Sequence, residues 1–114
     1  MANTFKRATK SSLSTAAVAS DSATNILTAT GANTLIIIGM ITSNKTATSA
    51  TVDLYLLSGT GDPTYLLRNA PVPAGSSLEY VNSSKLVMNA GDVLRARANT
   101  SSALDITVSY LEQS

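Results

Sequence analysis

Leu104-Asp105-Ile106-Thr107-Val108-Ser109-Tyr110 decides the fold class, because apolar and polar residues alternate strictly along it. Successive side chains of a strand point to opposite faces, so this is the pattern of a strand with one buried and one wetted face. Val52, Leu54 and Leu56 repeat it against Asp53 and Tyr55. Leu35 to Ile41, LIIIGMI, is apolar throughout. Read as a regular strand, it sends Leu35, Ile37 and Ile41 one way and Ile36, Ile38 and Met40 the other. Both faces then need cover: one from the core, the other from the N-terminal segment or a neighbouring subunit.

Working outward from these stretches, segments rich in Val, Ile, Leu, Tyr and Thr recur between Gly, Asn, Pro and Ser clusters, and helical periodicity is nowhere sustained. The spacing predicts strands over Thr4–Thr9, Thr24–Thr30, Thr34–Ser43, Ala50–Ser58, Thr64–Asn69, Ser77–Val81, Lys85–Met88, Val93–Ala98 and Leu104–Glu112. The expectation is one all-β domain, an antiparallel β-sandwich of jelly-roll or immunoglobulin-like type with seven to nine strands. Residues 1–12 form an N-terminal basic arm or a first strand, and residues 13–114 the sandwich. Gly59-Thr60-Gly61-Asp62-Pro63 reads as a hairpin loop, since Gly supplies positive φ and Pro cannot continue a central ladder. Ala74-Gly75 and Ala90-Gly91 each feed a strand, which suggests two similar corners at one end of the sandwich.

Composition excludes most chemistry. The 114 residues include no Cys, His or Trp. The commonest transition-metal ligands, disulfides and Ser-His catalysis are thereby removed. Eight Lys and Arg against seven Asp and Glu give a net charge of +1, far from the basic excess of a nucleic-acid binder. LIIIGMI is too short to cross a membrane as a helix, which needs about 20 apolar residues. The start, MANTFKRATKSSLSTAAVAS, has the charges of a signal peptide, but Ser11, Ser12, Ser14 and Thr15 interrupt its apolar part. No partner, nucleic acid or membrane, follows from bulk charge or hydropathy, and no cofactor is expected.

The carboxylates Asp21, Asp53, Asp62, Glu79, Asp92, Asp105 and Glu112 are scattered, without the pairing that acid-base or metal chemistry uses. Asp92 after Gly91 is explained by turn hydrogen bonding. Arg95 and Arg97 share a strand face and could join Lys85 or Arg68 in a small basic patch, although solvated charges protecting a sheet edge explain them better. Asn44-Lys45-Thr46, Asn82-Ser83-Ser84 and Asn99-Thr100-Ser101 match the glycosylation tripeptide, as chance provides in so Ser/Thr-rich a chain. Among the aromatics, Tyr55 is the ring expected to face outward, where a sugar could stack, against ordinary sheet packing as the alternative. Phe5 among Lys6, Arg7 and Lys10 makes a basic arm with one aromatic anchor, suited to a neighbouring subunit or to a first strand of its own sheet.

Three stretches, MANTFKRA (1–8), YLLRNAPVPAGSSLEYV (65–81) and KLVMNAGDVLRARANTSSALDITVSYLE (85–112), resemble small virion proteins of tailed bacteriophages of the kind found with marine and cyanobacterial hosts. The likeness lies in the PVPAGSSL corner, the Ala-Gly-Asp corner and the terminal SYLE strand. It is weakest over residues 11–33 and the Gly59–Pro63 loop. It implies a β-sandwich, not an enzyme, present in several copies on the capsid, neck or tail of the virion and assembled in the bacterial cytoplasm, where absence of Cys is usual. Partners would be copies of itself and other capsid, neck or tail subunits, with Phe5, Lys6, Arg7, Ile36, Ile38 and Met40 as the contact residues. The alternative is a tail module that recognises host surface polysaccharide.

Overall fold

A computed structural model of the chain describes residues 3–13, 15, 25–30, 32–57, 63–80, 86–100 and 102–113. These residues form nine strands and no helix: β1 (Asn3–Lys10), β2 (Asn25–Thr28), β3 (Thr34–Asn44), β4 (Ala50–Leu57), β5 (Pro63–Val72), β6 (Ser77–Tyr80), β7 (Leu86–Met88), β8 (Val93–Ala98) and β9 (Leu104–Gln113). All pairings are antiparallel. One sheet has the order β1-β9-β3-β6, with β7 also pairing β3 beyond the end of β6, and the other has the order β2-β8-β4-β5. If β6 and β7 are taken as two halves of one lane, the pairs β1·β9, β2·β8, β3·β6/β7 and β4·β5 nest inside one another. That nesting is the jelly-roll arrangement and sets aside the immunoglobulin-like one, whose sheets group strands differently.

The central strands bury one face against the core. Leu35, Ile37 and Met40 of β3 and Ile106 and Val108 of β9 face Val52 and Leu54 of β4 and Leu94, Ala96 and Ala98 of β8 across a shared core. Fully burying a Leu, Ile or Val side chain contributes about 1.5–3 kcal/mol, so this interior is the main favourable term. Residues 3–10 are a strand of this sandwich, paired with β9 over their whole length without a register shift. Leu13, just beyond, is fully buried and its N–H donates to the Leu104 carbonyl at 2.8 Å.

The regular reading of LIIIGMI fails at one residue. Ile37 pairs with Tyr110 and Gly39 with Ser109, so Ile38 is an extra residue, a β-bulge of the kind that a glycine inside a strand often marks. The bulge reverses the phase of everything after it. Met40, expected outward, is 2% exposed and in the core, while Ile41, expected inward, is 46% exposed.

The two Ala-Gly corners share their geometry but lie at opposite ends of the sandwich, not at one end. Ser76 N–H donates to the Pro73 carbonyl at 3.1 Å and Asp92 N–H to the Asn89 carbonyl at 3.0 Å. Gly75 and Gly91 occupy the third turn position at φ +67° and +93°, which a type II turn requires. The first corner leads into β6 beside Ser43, near the end of β3, whereas the second follows Met88, which pairs with Leu35 near its start. Between the corners, β6 and β7 both pair with β3.

The end holding the first corner is fixed by Asn44, a polar side chain only 3% exposed. Its amide nitrogen donates to the Thr48 and Val72 carbonyls at 2.8 and 2.9 Å, and its oxygen accepts from the Thr46 N–H and hydroxyl at 2.9 and 2.7 Å. Full satisfaction is what makes burying an amide tolerable. It also withdraws Asn44 from glycosylation in the folded chain. The Asn82 tripeptide lies outside the described residues.

Candidate functional site

Register places four apolar side chains in one row across the outer face of the β1-β9-β3-β7 sheet. Phe5 of β1 is opposite Leu111 of β9, which is opposite Ile36 of β3, which is opposite Val87 of β7. All four point away from the core, because their chain neighbours on β3 and β7 (Leu35, Ile37 and Met88) point into it. Directly opposed side chains in such ladders are about 4.5–5.5 Å apart at Cβ, so the row is continuous. Phe5 is 77% exposed and Val87 50%. With Ile41 they are the large hydrophobic side chains that stand exposed among the described residues, and all three lie on this one face.

Beside the row the Ile38 bulge opens a shallow groove of about 190 Å³, lined by Ile38, Gly39, Met40, Ile41, Glu79, Thr107 and Ser109. Arg7, opposite Ser109, stands on the same outer face at the β1 edge, and Glu79, opposite Ile41, stands at the β6 edge. Both are exposed, and neither forms an ion pair with a described residue. The face therefore carries an apolar band between a cation on one edge and an anion on the other.

Of the six residues singled out from the sequence, the structure gathers Phe5, Arg7, Ile36 and Ile38 on this face. Met40 lines the groove as well, but it is 2% exposed and belongs to the core, because the bulge reverses its phase. Lys6 projects to the opposite side of β1, where its Nζ bonds the Glu112 carboxylate at 2.7 Å. That contact raises the Lys6 pKa and lowers that of Glu112, which also accepts from the Asn33 amide at 3.3 Å. Leu111, Val87 and Ile41 were missed. For Leu111 a signal existed: it is an apolar residue falling in the polar phase of Leu104–Tyr110. For Val87 and Ile41 the signal appears only once register and bulge are known.

The outer face of the other sheet is built differently. Asn25, Arg95, Tyr55 and Tyr65 form a row across β2, β8, β4 and β5. Arg95 Nε donates to the Asn25 side-chain oxygen, and Arg68 lies 4.9 Å over the Tyr65 ring. Tyr55 does point outward, as its alternation predicts, but it is fully buried there, with the Tyr65 ring 5.6 Å away at 52°. It offers no platform for a sugar. Arg97 approaches Asp53 at 3.6 Å and donates to the Thr15 carbonyl at 3.2 Å, so Arg95 and Arg97 share a face without forming an open basic patch. Lys85 lies outside the described residues.

Three of the carboxylates, Asp53, Asp92 and Asp105, are engaged within the fold. Asp53 accepts from the Asn69 N–H at 2.7 Å, which holds a residue at positive φ in β5, and Asp92 accepts from the Asn89 N–H at 3.0 Å. Asp105 accepts from Lys45 Nζ and the Ser12 N–H, both at 2.8 Å, and the two bonds hold its carboxyl below the usual carboxylate range. Asp21 and Asp62 lie outside the described residues. Among the described residues no group of carboxylates is placed to hold a metal ion. Compared with protein-family models and with characterised proteins, the chain matches none.

Proposed function

We propose that this chain is a non-enzymatic structural protein of a tailed-bacteriophage virion, present in multiple copies that decorate or connect the capsid, neck or tail. The observation that carries the reading is the Phe5-Leu111-Ile36-Val87 row, an apolar surface of the kind that marks an interaction site on a small soluble domain. The resemblance of the PVPAGSSL and Ala-Gly-Asp corners to small phage virion proteins supplies the setting. Jelly rolls build viral capsids and lectins alike, so the fold supports this reading without choosing it. The polysaccharide-binding alternative loses its stacking ring to the burial of Tyr55. The test is mass spectrometry and immunogold labelling of purified particles of the phage that encodes the chain. A fixed multi-copy stoichiometry at one place on the particle is expected, and absence from the particle overturns the proposal.

A further inference from the structure

We infer that the outer face of the β1-β9-β3-β6/β7 sheet is the contact between two copies of this chain, packed face to face about a two-fold axis that runs along the strands. The inference names one contact of the assembly proposed above and rests on that reading for its biological setting. Its geometry comes from the order of side chains across the face. From one edge to the other the apolar row reads Phe5, Leu111, Ile36, Val87. A two-fold axis lying in the interface along the line between β9 and β3 reverses that order, so Phe5 of one copy lies over Val87 of the other and Leu111 over Ile36. Such an interface is isologous: each contact occurs twice and the surface need only match itself.

The charges match under the same operation. Arg7 stands at the β1 edge and Glu79 at the β6 edge, and the axis brings each edge of one copy over the opposite edge of its mate. Arg7 lies in the row of Ser109, while Glu79 lies in the row of Ile41 and Thr107, one pleat repeat further along the strands. That offset is about 7 Å, a span an extended Arg side chain covers. Two Arg7–Glu79 pairs would then close the two sides of the apolar band.

Two further observations favour a second copy in this arrangement. Four lanes at about 4.8 Å spacing, over a ten-residue strand at about 3.4 Å per residue, make a face of roughly 650 Å². A stable interface takes roughly 800 Å² from each partner, so the face is of the right order for a reversible dimer. Pairing two copies through their β1 edges is opposed, because Lys6, Arg7 and Lys10 would meet their own like charges.

The experiment is sedimentation equilibrium of the full chain from about 10 µM to about 1 mM, with matched single and double charge exchanges. The wild type should show a concentration-dependent monomer–dimer equilibrium. Arg7→Glu and Glu79→Arg should each weaken it about tenfold or more, and the double exchange should restore it, since every pair is then reversed but opposite in sign. Val87→Lys should abolish it with circular dichroism unchanged. Because the chain has no cysteine, Phe5→Cys mixed with Val87→Cys provides an independent measurement. Under mild oxidant the mixed pair should cross-link faster than either variant alone. A wild type that stays monomeric throughout, a double exchange no better than the singles, or cross-linking without preference for the mixed pair would each overturn the inference. These outcomes bear on the dimer alone, whereas the particle assay above bears on the virion reading.

Discussion

The two outer faces of this sandwich come from the same alternation of residues, yet they are finished in opposite ways. On the β2-β8-β4-β5 sheet, side chains close over one another: Tyr55 is buried against Tyr65, Arg68 covers Tyr65, and Arg97 is answered by Asp53. On the β1-β9-β3-β6/β7 sheet, Phe5, Val87 and Ile41 stand in the open, and Arg7 and Glu79 have no ion-pair partner among the described residues. Side chains already sealed by their own neighbours contribute to folding, whereas in the proposed dimer the open ones contribute to association. Substitutions on the two faces should therefore separate stability from assembly.

The largest effect should come from the sealed face. Tyr55→Ala removes a fully buried ring and should cost about 3–5 kcal/mol of folding stability, read as a lower urea midpoint. Phe5→Ala removes a comparable ring from the open face and should change the same midpoint by less than about 0.5 kcal/mol while weakening self-association. Equal losses in the two variants would show that the contrast between the faces is not energetic.

A smaller contrast is expected between two carboxylates. Asp53 is hydrogen-bonded to the Asn69 N–H and lies beside Arg97, so Asp53→Ala leaves a strand N–H and a guanidinium short of a partner. The cost should be about 1–3 kcal/mol by urea denaturation. Glu79→Ala should leave the urea curve within about 0.5 kcal/mol of wild type, because the side chain is exposed and makes no ion pair with a described residue. A Glu79→Ala variant as unstable as Asp53→Ala would assign Glu79 to the fold and remove it from the interface.

How far these faces could be read from the sequence depends on how local each signal is. Runs of β-favouring residues between turn clusters are local, and two of them alternate cleanly, so all nine strands were legible, down to the short Leu86–Met88 segment. The outward direction of Tyr55 was legible for the same reason. Its burial was not, since that depends on Tyr65 and on strand order, which a single strand does not carry. LIIIGMI announced a strand apolar on both faces, and Gly39 hinted at the irregularity, but which residue was extra is fixed by pairing with Tyr110 and Ser109. The apolar row is the extreme case. Phe5, Ile36, Val87 and Leu111 come from four separated segments, and only the register of three strand pairs lines them up.

The smallest expected effect concerns a polar staple at the end of the open sheet. Asp105 projects from β9 opposite Ser43 and accepts hydrogen bonds from Lys45 Nζ and from the Ser12 N–H, where the chain turns at positive φ after β1. Both bonds favour the ionised carboxylate, so its pKa in the folded chain is lowered. A carboxyl whose folded value lies below its unfolded one stabilises the fold above the unfolded pKa, about 3.9 for Asp, and loses that contribution as pH falls through the lower folded value. Stability should thus be level in this respect near neutrality and decline on acidification below about pH 4. The staple is more than a third exposed, with Lys45 and Asp105 side chains at 41% and 37%, so water screens it and its worth should be at most about 1 kcal/mol. Asp105→Asn keeps an acceptor for Ser12 but no charge for Lys45. Its urea midpoint should sit slightly below wild type at pH 7, and the gap should narrow as the pH falls below the unfolded value of about 3.9, closing only once the lowered folded value is passed. Because screening by salt weakens an exposed pair, the gap at pH 7 should also shrink in about 1 M NaCl. A gap that does not narrow on acidification would assign the effect to packing at the Ser12 turn and not to the carboxylate charge.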